Sequence, residues 1–148
     1  MRQEIYTIAS NRPLTADVWE MRLTGDTSSL TAPGQFINIK LEGLFLRRPI
    51  SVCDWDEEGL TILYKVVGRG TQAMSAMAAG QKLDVLCGLG NGFDVEKCGE
   101  RTLVIGGGVG VPPMYGLAKA LLAAGKTPAA ILGFNKKEEI FYENQFKA

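Results

Sequence analysis

Residues 101–134 read RTLVIGGGVGVPPMYGLAKALLAAGKTPAAILGF. A short β-branched run, TLVI, leads into a glycine cluster, GGGVGVPP at 106–113. A helical pattern follows from about Pro112 to Ala124, closed by Gly125, and AAILGF then reads as a second strand. Proline suits the first helical turn because its missing N–H would have no partner there, and glycine suits the end. Strand, glycine loop, helix, strand is a βαβ unit with a parallel sheet. A loop of this kind, after a strand and before a helix, is the setting that nucleotide phosphates require. EEIFYENQF, 138–146, reads as a further helix. Two parallel strands make a poor free-standing sheet with both edges bare. The unit is therefore expected to be incomplete, as a fragment or as one part that another chain completes.

Before residue 100 the periodicity differs. VWEMRL sets Trp19, Met21 and Leu23 against Glu20 and Arg22, and FINIKL aligns Ile37, Ile39 and Leu41. LTILYKVV carries apolar residues on both faces, which suits a strand buried on both sides. With EIYTIAS, RRPISVC and KLDVLCG the strands number about six, separated by the turn signals APGQ, DEEG, GRGT and GNG. Short strands at this spacing predict a closed antiparallel barrel of Greek-key type. One helix interrupts them: TQAMSAMAAG, with Thr71 as N-cap, Met74 and Met77 one turn apart, and Gly80 at the end. The expected fold is thus all-β plus α/β, a six-stranded barrel over 1–97 and an incomplete Rossmann-like βαβ unit over 98–148.

Composition narrows the chemistry. The 148 residues are 46% hydrophobic, enough for a core, and carry 16 basic and 16 acidic groups. A formal charge of zero gives no general attraction to nucleic acid or anionic membrane, so any anion must be held by a few placed groups. MRQEIYTIAS lacks the apolar core of a secretory signal, and no run approaches the ~20 apolar residues of a membrane span. Cys53, Cys87 and Cys98 are an odd set that matches no metal spacing, which predicts reduced thiols in a cytoplasm, with Cys53 and Cys87 as core residues. There is no histidine, the usual general base and metal ligand. If the chain is an enzyme, a cofactor carries its chemistry.

Two elements of the barrel suit an anion. RRPIS places two arginines beside a proline, a residue that strands tolerate at edges and bulges. A guanidinium at a barrel rim is shaped for phosphate oxygens, and Ser51 adds a hydroxyl. GRGT, 68–71, runs straight into a helix, where glycine permits close approach and free amides favour negative charge. Together the two predict a diphosphate pinched at the rim. GLGNGF, 88–93, reads as a linker that a cleft between the two parts would also suit. No ribose-binding acid stands at the end of the second strand, where GFNKKEE follows, and Lys136 and Lys137 read as a solvated run.

RPIS, GRGT, GLGNGF and GGGVGVPP, in this order, resemble the ferredoxin reductase-like flavoproteins. Within them the pattern is most similar to electron transfer subunits of dihydroorotate dehydrogenases that use NAD. The resemblance covers nearly the whole chain. It implies a barrel that binds FAD, with Arg48 on the diphosphate and Pro49, Ile50 and Ser51 along the isoalloxazine. Ile50 stands where many relatives have a stacking tyrosine. Leu63, Tyr64 and Lys65 would line the cofactor, and Gly70 and Thr71 would hold its phosphates. Gly107, Gly108 and Gly110 would approach NAD(H). It further implies a partner subunit carrying FMN that oxidises dihydroorotate in pyrimidine biosynthesis, and a [2Fe–2S] cluster whose ligands none of the three cysteines matches. Other readings are an NAD(P)H–ferredoxin or sulfide-type oxidoreductase subunit, or a non-enzymatic barrel module. Homodimers through exposed sheet edges are a further possibility.

Overall fold

The computed structural model describes all of residues 1–148. Six antiparallel strands close into a barrel: β1 (Arg2–Pro13), β2 (Val18–Thr24), β3 (Phe36–Ile39), β4 (Arg48–Trp55), β5 (Gly59–Lys65) and β6 (Lys82–Leu89). Their order around the barrel is β1-β2-β5-β4-β3-β6, the Greek-key arrangement that the alternation predicts. Alternate positions turn inward: Met21 and Leu23, Ile37 and Ile39, Leu60 and Ile62, and Val85 are all fully buried in one core with Tyr6, Tyr64 and Cys87. β1 serves two neighbours, β6 through Arg2–Thr7 and β2 through Thr7–Pro13, with a register shift between Ile8 and Ser10.

β5 is buried on both faces, as its mixed pattern predicts. Leu60, Ile62 and Tyr64 enter the barrel core. Leu63 faces outward, into a second cluster with Val18, Cys53, Val111, Phe141 and Tyr142. That outer cluster joins the barrel to the rest of the chain.

The rest begins with β7 (Leu103–Gly107), then α2 (Val111–Ala123) and β8 (Ala129–Gly133), with β7 and β8 parallel and in register from Leu103↔Ala129 to Gly107↔Gly133. The helix ends as the sequence predicts. Gly125 takes φ +78, its amide bonds to the Leu122 carbonyl and the Lys126 amide to the Leu121 carbonyl, which together satisfy two terminal carbonyls. A register shift in β4 between Val52 and Asp54 lets both Cys53 and Asp54 meet α2. Lys119 pairs with Asp54 at 2.6 Å, and a Cβ on Gly116 would stand 2.6 Å from the Cys53 carbonyl oxygen. Only glycine allows that approach. No helix is long and apolar enough to cross a membrane.

Three sequence expectations need correction. The first helix, α1, spans Arg69–Ser75 with Gly68 as its N-cap, three residues before the expected cap. Thr71 is not the cap: its hydroxyl reaches back to accept from the Val67 and Gly68 amides at 2.9 and 3.3 Å. Gly80 does have a positive φ, but beyond the helix, in a turn whose amide donates to the Ile8 carbonyl. Second, the edge expected at Pro49 is a local one: the barrel is closed, but Arg48–Ser51 pair only with β3, where Pro49 stands opposite Asn38, and not with β5. Third, 138–146 is not one helix. A 3₁₀ turn (Lys137–Glu139) and a short α3 (Glu143–Lys147) are separated by Tyr142 at φ +63, because Phe141 and Tyr142 turn in to the outer cluster.

Candidate functional site

The ladder between β4 and β5 is incomplete. It joins Val52–Trp55 to Leu60–Ile62, whereas Arg48–Ser51 pair only with β3 and Leu63–Lys65 only with β2. The strands therefore diverge into a slot of about 370 Å³. This explains the proline. The Val52 amide points to β3, where it bonds to the Gln35 carbonyl. Strand alternation then turns the Pro49 nitrogen to the opposite side, where no ladder exists to want a donor.

One wall of the slot is Arg48, Pro49, Ile50 and Ser51, and the other is Leu63, Tyr64 and Lys65. Val67 and Thr71 close the end at the turn into α1, and Val109 reaches in from the glycine loop. The strand residues singled out in the sequence thus converge on one place. The walls are mainly apolar with two cations, Arg48 and Lys65, among them, a setting that suits a flat ring system carrying an anionic tail.

The adjacent arginines diverge. Arg47 is tied to the barrel: its guanidinium meets the Asp84 carboxylate at 3.0 Å and donates to the Asn38 and Asp84 carbonyls at 3.3 Å. Burial alone would raise the Asp84 pKa, but hydrogen bonds from Arg47 and Gln3 outweigh it and hold the carboxyl below its ordinary value. Arg48 makes no ion pair, and one of its nitrogens donates to the Leu46 carbonyl. It lies across Gly70, where a Cβ would come within 2.2 Å of its Nε. Gly70 is therefore the residue that lets a free guanidinium rest over the first turn of α1.

Asn11 is part of this site, although nothing in the sequence singled it out. Its Nδ2 donates to the Met74 and Met77 carbonyls at 2.8 and 2.9 Å, and its Oδ1 accepts from the Tyr64 hydroxyl at 2.7 Å. The end of α1 is fixed to β1 and β5 by that one side chain. Burial is the main cause that pushes the Tyr64 phenol up to about 12, so it stays a donor. Ser10 and Arg12 beside Asn11 are polar too, so nothing in the sequence set Asn11 apart.

A second cleft, about 580 Å³, lies between barrel and βαβ unit. The barrel contributes Asp17, Val18 and Lys65, and the glycine loop Gly107, Gly108 and Val109. The chain after β8 contributes Gly133, Phe134, Asn135, Glu139 and Phe141. It stands at the carboxyl ends of the parallel strands, where open α/β sheets bind ligands. Lys65 and Val109 belong to both clefts, so the two adjoin. Lys65 is 3.5 Å from Asp17. Gly108 takes φ +52 to turn the loop, whereas Gly110 caps α2 with ordinary helical angles and lines neither cleft.

Glu139, Phe141 and Asp17 were not among the sequence candidates, because their route to the cleft is set by how the two units pack. Lys136 and Lys137 line neither cleft. Nor does GLGNGF, whose Gly88, Gly90 and Gly92 all have positive φ. That loop is sewn to residues 31–35: Gln35 donates to the Gly90 carbonyl, and the Phe93 amide to the Pro33 carbonyl.

No family model matches the chain. Curated proteins do. The chain is 40% identical over 154 residues to the dihydroorotate dehydrogenase B (NAD(+)), electron transfer subunit, of Geobacillus sp. (strain WCH70), and the match takes in 99% of the chain and 60% of that protein. The corresponding Bacillus pumilus (strain SAFR-032) protein is also 40% identical, over 100% of the chain and 60% of its own length. The chain thus spans about 60% of the length of these relatives. Among solved structures, the NADH-dependent reduced ferredoxin-NADP oxidoreductase superposes with TM-score 0.86 at 31% identity, over 97% of the chain and 53% of the other. Phthalate dioxygenase reductase superposes at 0.84 with 22% identity, over 99% and 48%, a likeness of fold. By sequence along its whole length the chain is a homologue of dihydroorotate dehydrogenase B electron transfer subunits, and its architecture is a ferredoxin reductase-like barrel followed by a small parallel sheet and helix.

Proposed function

We propose that the chain binds FAD in the β4–β5 slot and NAD(H) in the adjoining cleft. Its role is to pass electrons between NAD and a partner FMN-containing dihydroorotate dehydrogenase subunit in the cytoplasm. The observation that carries this reading is the junction of the two clefts at Lys65 and Val109. Residues 1–97 are the flavin unit in this reading and 98–148 the nucleotide unit.

The side chains present fit both cofactors. Arg48, free of any acid and laid over Gly70, is a donor for a diphosphate. Pro49, Ile50 and Leu63 offer apolar walls to a ring system, with the Ser51 hydroxyl as the polar group among them. At the glycine loop, a Cβ on Gly106 would stand 2.9 Å from the Val111 Cα, so glycine there keeps loop and helix closely packed beneath a second diphosphate. Gly107 and Gly108 leave the space above it open, and Glu139 in the same cleft favours a ribose hydroxyl over a 2′-phosphate. When bound, the pair supplies hydride transfer between nicotinamide and flavin and onward release of single electrons. The protein's part is to bind, orient and exclude water, which accords with a chain that has no histidine. A [2Fe–2S] cluster is not assigned to this chain: Cys53 and Cys87 are buried, and burial is the main cause that raises the Cys53 thiol to about 12.

The test is the visible spectrum of the purified chain after incubation with FAD and removal of free cofactor, then anaerobic addition of NADH. A retained flavin band that NADH bleaches is the expected result. Colourless protein overturns the reading. A second reading, a subunit of an NAD(P)H–ferredoxin type oxidoreductase, is favoured by the 31% identity to the NADH-dependent enzyme. Reoxidation of the reduced chain by an FMN-containing dihydroorotate dehydrogenase subunit, but not by ferredoxin, separates the two.

A further inference from the structure

Tyr142 is the single non-glycine residue with positive φ, at +63, and it is nearly buried. A left-handed tyrosine is strained backbone, and such strain persists only where the surroundings impose it. The surroundings here come from both units. The ring meets Tyr115 of α2 edge-on, with centroids 5.1 Å apart. The hydroxyl donates to Glu20 Oε2 of β2 at 2.5 Å. Arg12 of β1 holds the other oxygen of that carboxylate, through Nε at 3.0 Å and Nη2 at 2.9 Å. Burial is the main cause that pushes the phenol pKa up, so the hydroxyl remains a donor. Core packing alone would be served as well by phenylalanine. The hydroxyl reaches across the boundary to a carboxylate already held in place.

What this anchors is a wall of the second cleft. Glu139 and Phe141 line it, and they belong to the same short segment, 137–142. Phe141 packs edge-on against Phe134, which also lines the cleft, with centroids 5.1 Å apart. The Lys119–Asp54 pair and the close approach of Gly116 to Cys53 hold α2 rather than this segment.

We propose that Tyr142 is a positioning residue: its bond to Glu20 fixes the Glu139–Phe141 wall relative to the barrel and so sets where the dinucleotide lies against the flavin. The proposal rests on the functional reading given above. Three variants test it. Tyr142→Phe removes the bond and keeps the ring. Glu20→Ala removes it from the barrel side, should the first variant fold poorly. Glu20→Gln keeps one neutral acceptor oxygen of the two and serves as the partial rescue. Two quantities are read in cofactor-free protein, amide hydrogen exchange over 137–142 and calorimetric affinity for ADP-ribose, and FAD affinity is read by fluorescence. Loss of a hydrogen bond to a charged group predicts about tenfold faster exchange and about tenfold weaker ADP-ribose binding. FAD affinity should stay within about twofold in every variant, and Glu20→Gln should fall between Glu20→Ala and wild type. Unchanged ADP-ribose affinity in Tyr142→Phe overturns the proposal. So does a loss of FAD affinity equal to the loss of ADP-ribose affinity, the mark of general destabilisation. Wild-type protein that takes up neither ligand overturns the functional reading and the positioning role with it, whereas wild-type binding with unaffected variants overturns the positioning role alone.

Discussion

Replacing Arg48 with alanine removes the guanidinium that no acid neutralises, while Lys65 and the apolar walls of the slot stay in place. Charged hydrogen bonds of about 1.5–3 kcal/mol translate to FAD binding weakened about tenfold to a hundredfold, read by fluorescence titration, with little change in melting temperature. Gly70→Ala should act in the same direction by displacing the Arg48 side chain. Arg47→Ala should do the reverse, sparing FAD and costing stability, because its bonds are to Asp84 and Asn38 of the barrel. The acid limb of unfolding gives a second readout. A carboxyl with a lowered folded pKa contributes stability above its unfolded value of about 3.9 and loses it as pH falls through the lower folded one. Asp84 is such a group, so circular dichroism should show Arg47→Ala unfolding at a higher pH than wild type. The division of labour between Arg47 and Arg48 was legible in RRPIS only as a choice between neighbours. Which one faces the slot depends on strand register, and that is fixed by distant partners such as Ile39 opposite Arg48.

At the scale of elements, Asn11 ties the end of α1 to the barrel and Gly116 lets α2 approach it closely. Asn11→Ala would leave the Met77 carbonyl and the Tyr64 hydroxyl without their partner and would take one of the donors from the Met74 carbonyl. A loss of about 2 kcal/mol in a urea unfolding curve is expected, since stranded polar groups cost about 1–3 kcal/mol. Gly116→Ala would drive a methyl group into the Cys53 carbonyl and push α2 off the barrel, an overpacking cost of about 1–3 kcal/mol that thermal melting should register. The helices themselves were readable because proline, glycine and apolar spacing act locally. Their ends were less so. Thr71 looked like a cap from its position before a helical run, but it lies inside the first turn, and its hydroxyl reaches back to the Val67 and Gly68 amides. Residues 138–146 read as a helix because local propensity knows nothing of the outer cluster that claims Phe141 and Tyr142.

For the whole molecule, the six-stranded barrel and the βαβ unit were legible because period-2 alternation and a glycine loop between strand and helix are local signals. The angle between the units was not, and Glu139, Phe141 and Asp17 of the second cleft follow from it. One further consequence comes from the unzipped seam between β4 and β5. A closed barrel is a continuous ring of rungs, and this one is missing rungs where the slot lies. A flavin seated there would act as the missing cross-piece, so folding and occupancy become linked equilibria. A ligand that binds the folded chain alone adds about 2.7 kcal/mol at a hundred times its Kd. The melting temperature should therefore climb with the logarithm of FAD concentration, and in Arg48→Ala the same climb should begin only at higher concentrations. The seam makes the durability of the barrel a gauge of how much flavin surrounds it.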